Sequence, residues 1–185
     1  MSRTASGATS HPSHGSGLAR FNALSPETAR AVLLHCCGSP RWAHRVAAHR
    51  PYPDPDALFA AADEASYDLS QRDLSEALAA ESSAELEHGA PYAALLALDA
   101  AHAEYERKFG HAFVICLDRH PPEEQADQLL GAIRRRMGHE VDEERSLSAD
   151  ELRRVAQSRL RDLTRWLTST DGPTATEIGL FAPVG

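Results

Sequence analysis

Three times between residues 25 and 55, a helix-capping side chain is followed at once by proline: Ser25-Pro26, Ser39-Pro40 and Asp54-Pro55. The serine or aspartate oxygen accepts a hydrogen bond from the unpaired N–H groups of a first helical turn. Proline in the next position has no N–H to waste there, and its φ already matches a helix. The pair therefore reads as a helix start, and Gly38 punctuates the first of these segments. A chain restarted this often folds as a series of short helices.

Further along, Ser70 opens "SQRDLSEALAA", with Asp73 placed for a capping box. A long helix fits "YAALLALDAAHAEYERKFG", with Leu95, Leu98, His102, Tyr105 and Phe109 near one face and Gly110 as terminator. "PPEEQADQLLGAIRRRMG" reads as another helix, and "SADELRRVAQSRLRDLTRWL" as a last one, started by Ser148 and Glu151 as a Ser-x-x-Glu box. Between them, "HAFVICLDRH" is rich in β-branched and aromatic residues. One such run builds no sheet by itself, so it reads as a short buried extended segment. The expectation is an all-α single domain of about seven helices over residues 18–168. Residues 1–17, mostly Ser, Gly, Thr and His, read as a disordered tail, and 169–185 as a flexible one.

At 185 residues and 42% hydrophobic, the chain can bury one real core. A net charge of −8 speaks against nucleic acid as a partner. The basic runs, Arg134 to Arg136 and "RRVAQSRLRDLTR", are flanked by acids and read as solvated helix faces. No apolar run reaches a membrane span, and the N-terminus lacks the apolar core of a secretory signal. Cys36, Cys37 and Cys116 form neither a disulfide framework nor a zinc pattern, which fits a reducing cytoplasm; Cys116 is expected in the core.

Generic catalytic signatures are missing: no P-loop, GxGxxG, HExxH or GxSxG occurs. "ELEH", Glu85 to His88, is a single ExxH where a di-metal bundle needs two, so no metal is expected. His35, His44 and His49 read as partly exposed helix residues. His102, on an apolar face, reads first as a core histidine, and His111 either as a helix cap or as a ligand contact.

The order "FNALSPETA", "CCGSPRW", "HRPYPDPDAL", "AEYERKFGHAFVIC", "RRRM" and "ELRRVAQSRL" resembles the 2-oxo-4-hydroxy-4-carboxy-5-ureidoimidazoline (OHCU) decarboxylase family of urate degradation. The resemblance spans about residues 20 to 165, and Tyr105 to Cys116 is its most specific part. It implies an all-α enzyme, often a homodimer, that needs no cofactor and decarboxylates a ureidoimidazoline to S-allantoin. It implies substrate contacts from the main chain of Phe113, Val114, Ile115, Cys116 and Leu117.

The family's proton donor is a histidine in a His-Pro-x-x-Gly turn after an Ala-Leu helix end. Ala77 and Leu78 match that end, but Glu81 stands in the histidine's place and Ser82 in the proline's. The stretch carrying the family's Glu-Gln pair is shortened, with Glu87 and His88 as its remnant, and His102 stands where asparagine is usual. Glu81, His102 and His111 are therefore the candidate acids, with His88 behind them. Two readings stay open. One is a divergent decarboxylase with a relocated donor, which requires a dry hollow beside Phe113–Leu117. The other is a catalytically inactive member that serves as a small-molecule binding or protein-interaction module.

Overall fold

Helix starts are local events, and the capping pairs act as their chemistry dictates. The computed structural model describes residues 17–83, 92–118 and 120–169. Among the described residues are eight helices and no strand: α1 (Gly17–Ala23), α2 (Pro26–Cys36), α3 (Pro40–Ala48), α4 (Pro55–Tyr67), α5 (Gln71–Ala79), α6 (Tyr92–Phe109), α7 (Pro122–Arg136) and α8 (Val141–Thr168). Ser25 accepts from the Thr28 amide at 3.1 Å, Ser39 from Trp42 at 3.3 Å and Asp54 from Ala57 at 2.8 Å. Ser70 and Asp73 complete a reciprocal capping box. Ser39 is fully buried, so water cannot replace its hydroxyl. Ser39→Ala is expected to lower stability by about 1–2 kcal/mol, read as a shift of the urea midpoint at unchanged slope.

The helix beyond the seven expected is α1. It forms because Leu18 and Phe21 are buried in the core and because Arg50, from the α3–α4 connection, donates to the Phe21 and Leu24 carbonyls at 2.9 and 2.8 Å. Its first residue, Gly17, lies so close to α8 that a Cβ would sit 1.8 Å from the Thr164 carbonyl oxygen. Gly17 thus opens a helix where the end of a tail was expected; residues 1–16 and 170–185 lie outside the described residues.

The last helix also departs from expectation. It starts seven residues before Ser148, after Glu140, and runs 28 residues, about 42 Å. Ser148 is buried in mid-helix, and its hydroxyl donates to the Glu144 carboxylate instead of capping. Glu151 likewise turns outward to accept from the Cys116 amide at 2.9 Å.

α8 is the spine. Phe21, Leu33, Trp42, Leu58, Leu152 and Leu160 belong to a core built from α1–α5 and α8. A smaller core joins α6, α7 and the segment between them through Leu98, Tyr105, Phe109, Phe113, Leu129 and Ile133. On α6, Leu98, His102, Tyr105 and Phe109 are buried as their spacing predicts, but Leu95 is exposed. Gly110 ends the helix at φ 77°, a conformation that glycine adopts without strain.

The extended segment Phe113–Leu117 runs between the two cores. Successive side chains of extended backbone point to opposite sides, and Phe113 packs into the smaller core while Val114 packs into the larger. No helix among the described residues is long and apolar enough to cross a membrane.

Candidate functional site

Three polar anchors hold the extended segment. Ser83 accepts from the Phe113 amide at 3.1 Å and donates to Glu106 of α6 at 2.6 Å. Arg136 donates to the Val114 carbonyl at 2.7 Å, and Glu151 takes the Cys116 amide. Each anchor comes from a different part of the chain, so the segment's path is set by tertiary contacts alone.

Arg136 sits at the centre of a buried polar network. It pairs with Glu144 at 2.6 Å, donates to Ser148 at 2.9 Å, and places its guanidinium 4.4 Å from the Phe113 ring centre. Tyr105 donates its hydroxyl to the same Glu144 oxygen, and His139 Nδ1 lies 2.8 Å from the other. Burial by itself would push the Glu144 carboxyl up. Hydrogen bonds from Arg136 and Tyr105, the Arg136 charge and the His139 contact outweigh it and hold Glu144 below the usual carboxylate range. The Tyr105 hydroxyl is pushed well above the usual phenol range, first by burial and then by bonding to Glu144.

This network corrects the solvated reading of the Arg134–Arg136 run, because its third arginine is only 5% exposed. The sequence does hold the signal. Leu129, Ile133 and Arg136 follow the spacing of one helix face, and the first two are apolar. On α8, Glu144, Ser148, Leu152, Ala156 and Leu160 form an every-fourth stripe, all buried. Starting that helix at Ser148 hid the stripe's polar end.

Glu81, in the place of the family's histidine, follows α5. Its side chain is 6% exposed, and both its oxygens accept from Arg159 of α8, each at 2.8 Å. This bond holds Arg159 above the usual arginine range. Arg159 also donates to the Cys36 carbonyl at 3.4 Å. It borders a groove of about 360 Å³ with Val32, Cys36, Leu163 and Trp166.

The other two candidate acids lie against rings. His102 is buried with its ring 6.2 Å from that of Phe113. His111 packs edge-on to Tyr105 at 5.6 Å, with Nδ1 2.9 Å from the Ala112 carbonyl oxygen. His88 and the remnant Glu87 lie outside the described residues. The structure thus ties Glu81 to α8 and Ser83 to Phe113, and it places His102 and His111 in the aromatic cluster of α6.

Beside Ile115 and Cys116 lies an open cleft of about 800 Å³. Asp118, Glu151, Arg154 and Arg161 line it, so it is open and charged where a dry hollow was expected. Cys116 is half-buried, not a core residue, while Cys36 and Cys37 are fully buried. Burial pushes their thiols up to about 12 and about 11, so both stay protonated and unreactive.

Comparison with known proteins gives one consistent answer. The family model described as OHCU decarboxylase matches residues 22–83 and 75–161. A 2-oxo-4-hydroxy-4-carboxy-5-ureidoimidazoline decarboxylase from Amia calva is 37% identical over 102 residues, covering 52% of this chain and 55% of that protein. The match thus spans about half the length of this curated relative. Among solved structures, an OHCU decarboxylase crystallised in the presence of (S)-allantoin superposes with a TM-score of 0.63 at 21% identity, over 77% of this chain and 99% of that one. An (S)-allantoin synthase gives 0.62 at 16%, over 79% of this chain and 53% of that one.

Proposed function

The chain belongs to the OHCU decarboxylase family, and we propose that it decarboxylates OHCU, or a closely related ureidoimidazoline, to S-allantoin without a cofactor. One observation carries the reading: a buried carboxylate at the family histidine's position is held by an arginine that a substrate carboxylate would also seek. The anchored segment Phe113–Leu117 supports it as the wall on which a planar ring is hydrogen-bonded.

The chemistry asks little of the protein. The substrate's conjugated ring takes up the electron pair left by departing carbon dioxide. The protein must hold the carboxylate out of the ring plane and supply one proton on one face. Arg159 forms a bidentate fork that fits a carboxylate. When the substrate carboxylate takes that fork, Glu81 is released from Arg159 and stands beside the bound ring. Glu81 then takes up one proton from solvent and delivers it to the ring carbon as carbon dioxide leaves. The three free thiols fit action in a reducing cytoplasm.

A second reading is favoured by the same pair and by the open, charged cleft that stands where the decarboxylase reading calls for a dry hollow. Both Glu81 oxygens are occupied by Arg159, and a pair that never opens is a strut. The chain would then be an inactive member that keeps only a ligand-binding surface.

The test uses freshly generated OHCU, made by urate oxidation and hydrolysis, with circular dichroism following S-allantoin as it forms. Acceleration by the protein is the expected result. An unchanged rate at high protein concentration sinks the enzyme reading and leaves the inactive one.

A further inference from the structure

Of the three side chains that anchor Phe113–Leu117, the central one is Arg136. Arg136 reaches this segment from the last turn of α7. It spends Nη1 on the Val114 carbonyl at 2.7 Å, Nε on Glu144 at 2.7 Å and Nη2 on Ser148 at 2.9 Å. Glu144 is in turn held by Tyr105 of α6 and by His139. Three helices therefore meet in one guanidinium, and among the described residues the only main-chain atom it binds is in the extended segment.

We propose that Arg136 is a positioning residue: by fixing the Val114 carbonyl it sets the orientation of the peptide groups from Ile115 to Leu117 that meet the substrate. The assignment rests on the reading of Phe113–Leu117 as the substrate wall. The physical reason is geometric. Extended backbone has no internal hydrogen bonds, so its peptide planes turn freely unless outside partners hold them. Ser83 holds the segment at its start and Glu151 at Cys116. The Val114 carbonyl between them is held by Arg136, and rotating it turns the Ile115 amide with it, since the two share one peptide plane. Lysine in this place would keep the charge beside Glu144 but would lack the planar fork that reaches three partners at once.

The test reads the segment directly, through Cys116. Its thiol is half-buried, while Cys36 and Cys37 are buried, so iodoacetamide followed by peptide mass spectrometry reports the segment's local freedom. Arg136→Lys is expected to speed Cys116 alkylation about tenfold, the loss of one charge-assisted hydrogen bond. Ser148→Ala, which keeps the Glu144 pair, is expected to move it in the same direction and covers the case where Arg136→Lys does not fold. Leu33→Ala, a destabilising change in α2, should leave it unchanged. Equal acceleration in Leu33→Ala, or none in the foldable Arg136 and Ser148 variants, overturns the proposal. In the OHCU assay, Arg136→Lys should raise KM by more than it lowers kcat. Alkylation needs no turnover, so a wild-type protein inactive on OHCU would defeat the decarboxylase reading while the positioning role is still decided by Cys116.

Discussion

Glu144→Ala will lower the unfolding free energy by about 3–5 kcal/mol, the usual cost of removing one partner from a buried ion pair. For a domain of this size that is a fall of about 6–20 °C in melting temperature, measured by circular dichroism. The size follows from what stays behind. Arg136 is buried and loses its counter-charge, Tyr105 loses the acceptor of its hydroxyl, and Ser148 loses a partner. No water-exposed group takes their place, and an unpaired charge in the interior is among the costliest defects a fold can carry.

The same residue sets a pH dependence. Glu144 in the folded protein lies below the ordinary glutamate value of 4.5. A carboxyl whose pKa is depressed on folding stabilises above its unfolded pKa and loses that contribution as pH falls through the folded one. The stability gap between wild type and Glu144→Gln is therefore expected to be constant near neutrality and to close as pH falls below about 4.5. A gap that does not shrink at all between pH 5 and pH 3 would mean the pair contributes nothing through charge.

Arg159→Gln is the second large effect. In the OHCU assay it should lower kcat/KM by about 10²–10³-fold, since it removes the fork offered to the substrate carboxylate. Glu81→Gln leaves the fork free but cannot supply a proton, so it should lower kcat by about 10²–10⁴-fold with little rise in KM. The two profiles differ because one residue binds and the other reacts. If Glu81→Gln matches wild type in kcat, Glu81 is not the donor, and the choice returns to His102 and His111 in the aromatic cluster. If Arg159→Gln changes only thermal stability, the pair is the strut of the inactive reading.

The legible parts of this molecule are those governed by neighbours in sequence. Ser25-Pro26, Ser39-Pro40 and Asp54-Pro55 start helices because the hydroxyl or carboxylate and the amide it caps are three residues apart. Gly110 ends α6 through its own backbone freedom. Cys116 and Leu95 are less buried than their patterns predict for the opposite reason: an apolar run and a helical stripe say that something is buried but not how far the burial extends. The end of α1 is satisfied from far along the chain, by Arg50, 29 residues from Phe21.

Sequence alone determined most of the helix starts, the presence of one extended run and which family's order of segments the chain keeps, because these depend on short spacings and chain order. Tertiary structure alone decided which partners the inward charges meet. Arg136 meets Val114 across 22 residues, and Arg159 meets Glu81 across 78. A charged side chain tolerates burial only where a partner of opposite charge or a bare carbonyl is already waiting, and only the folded packing of α7 and α8 brings those partners within reach.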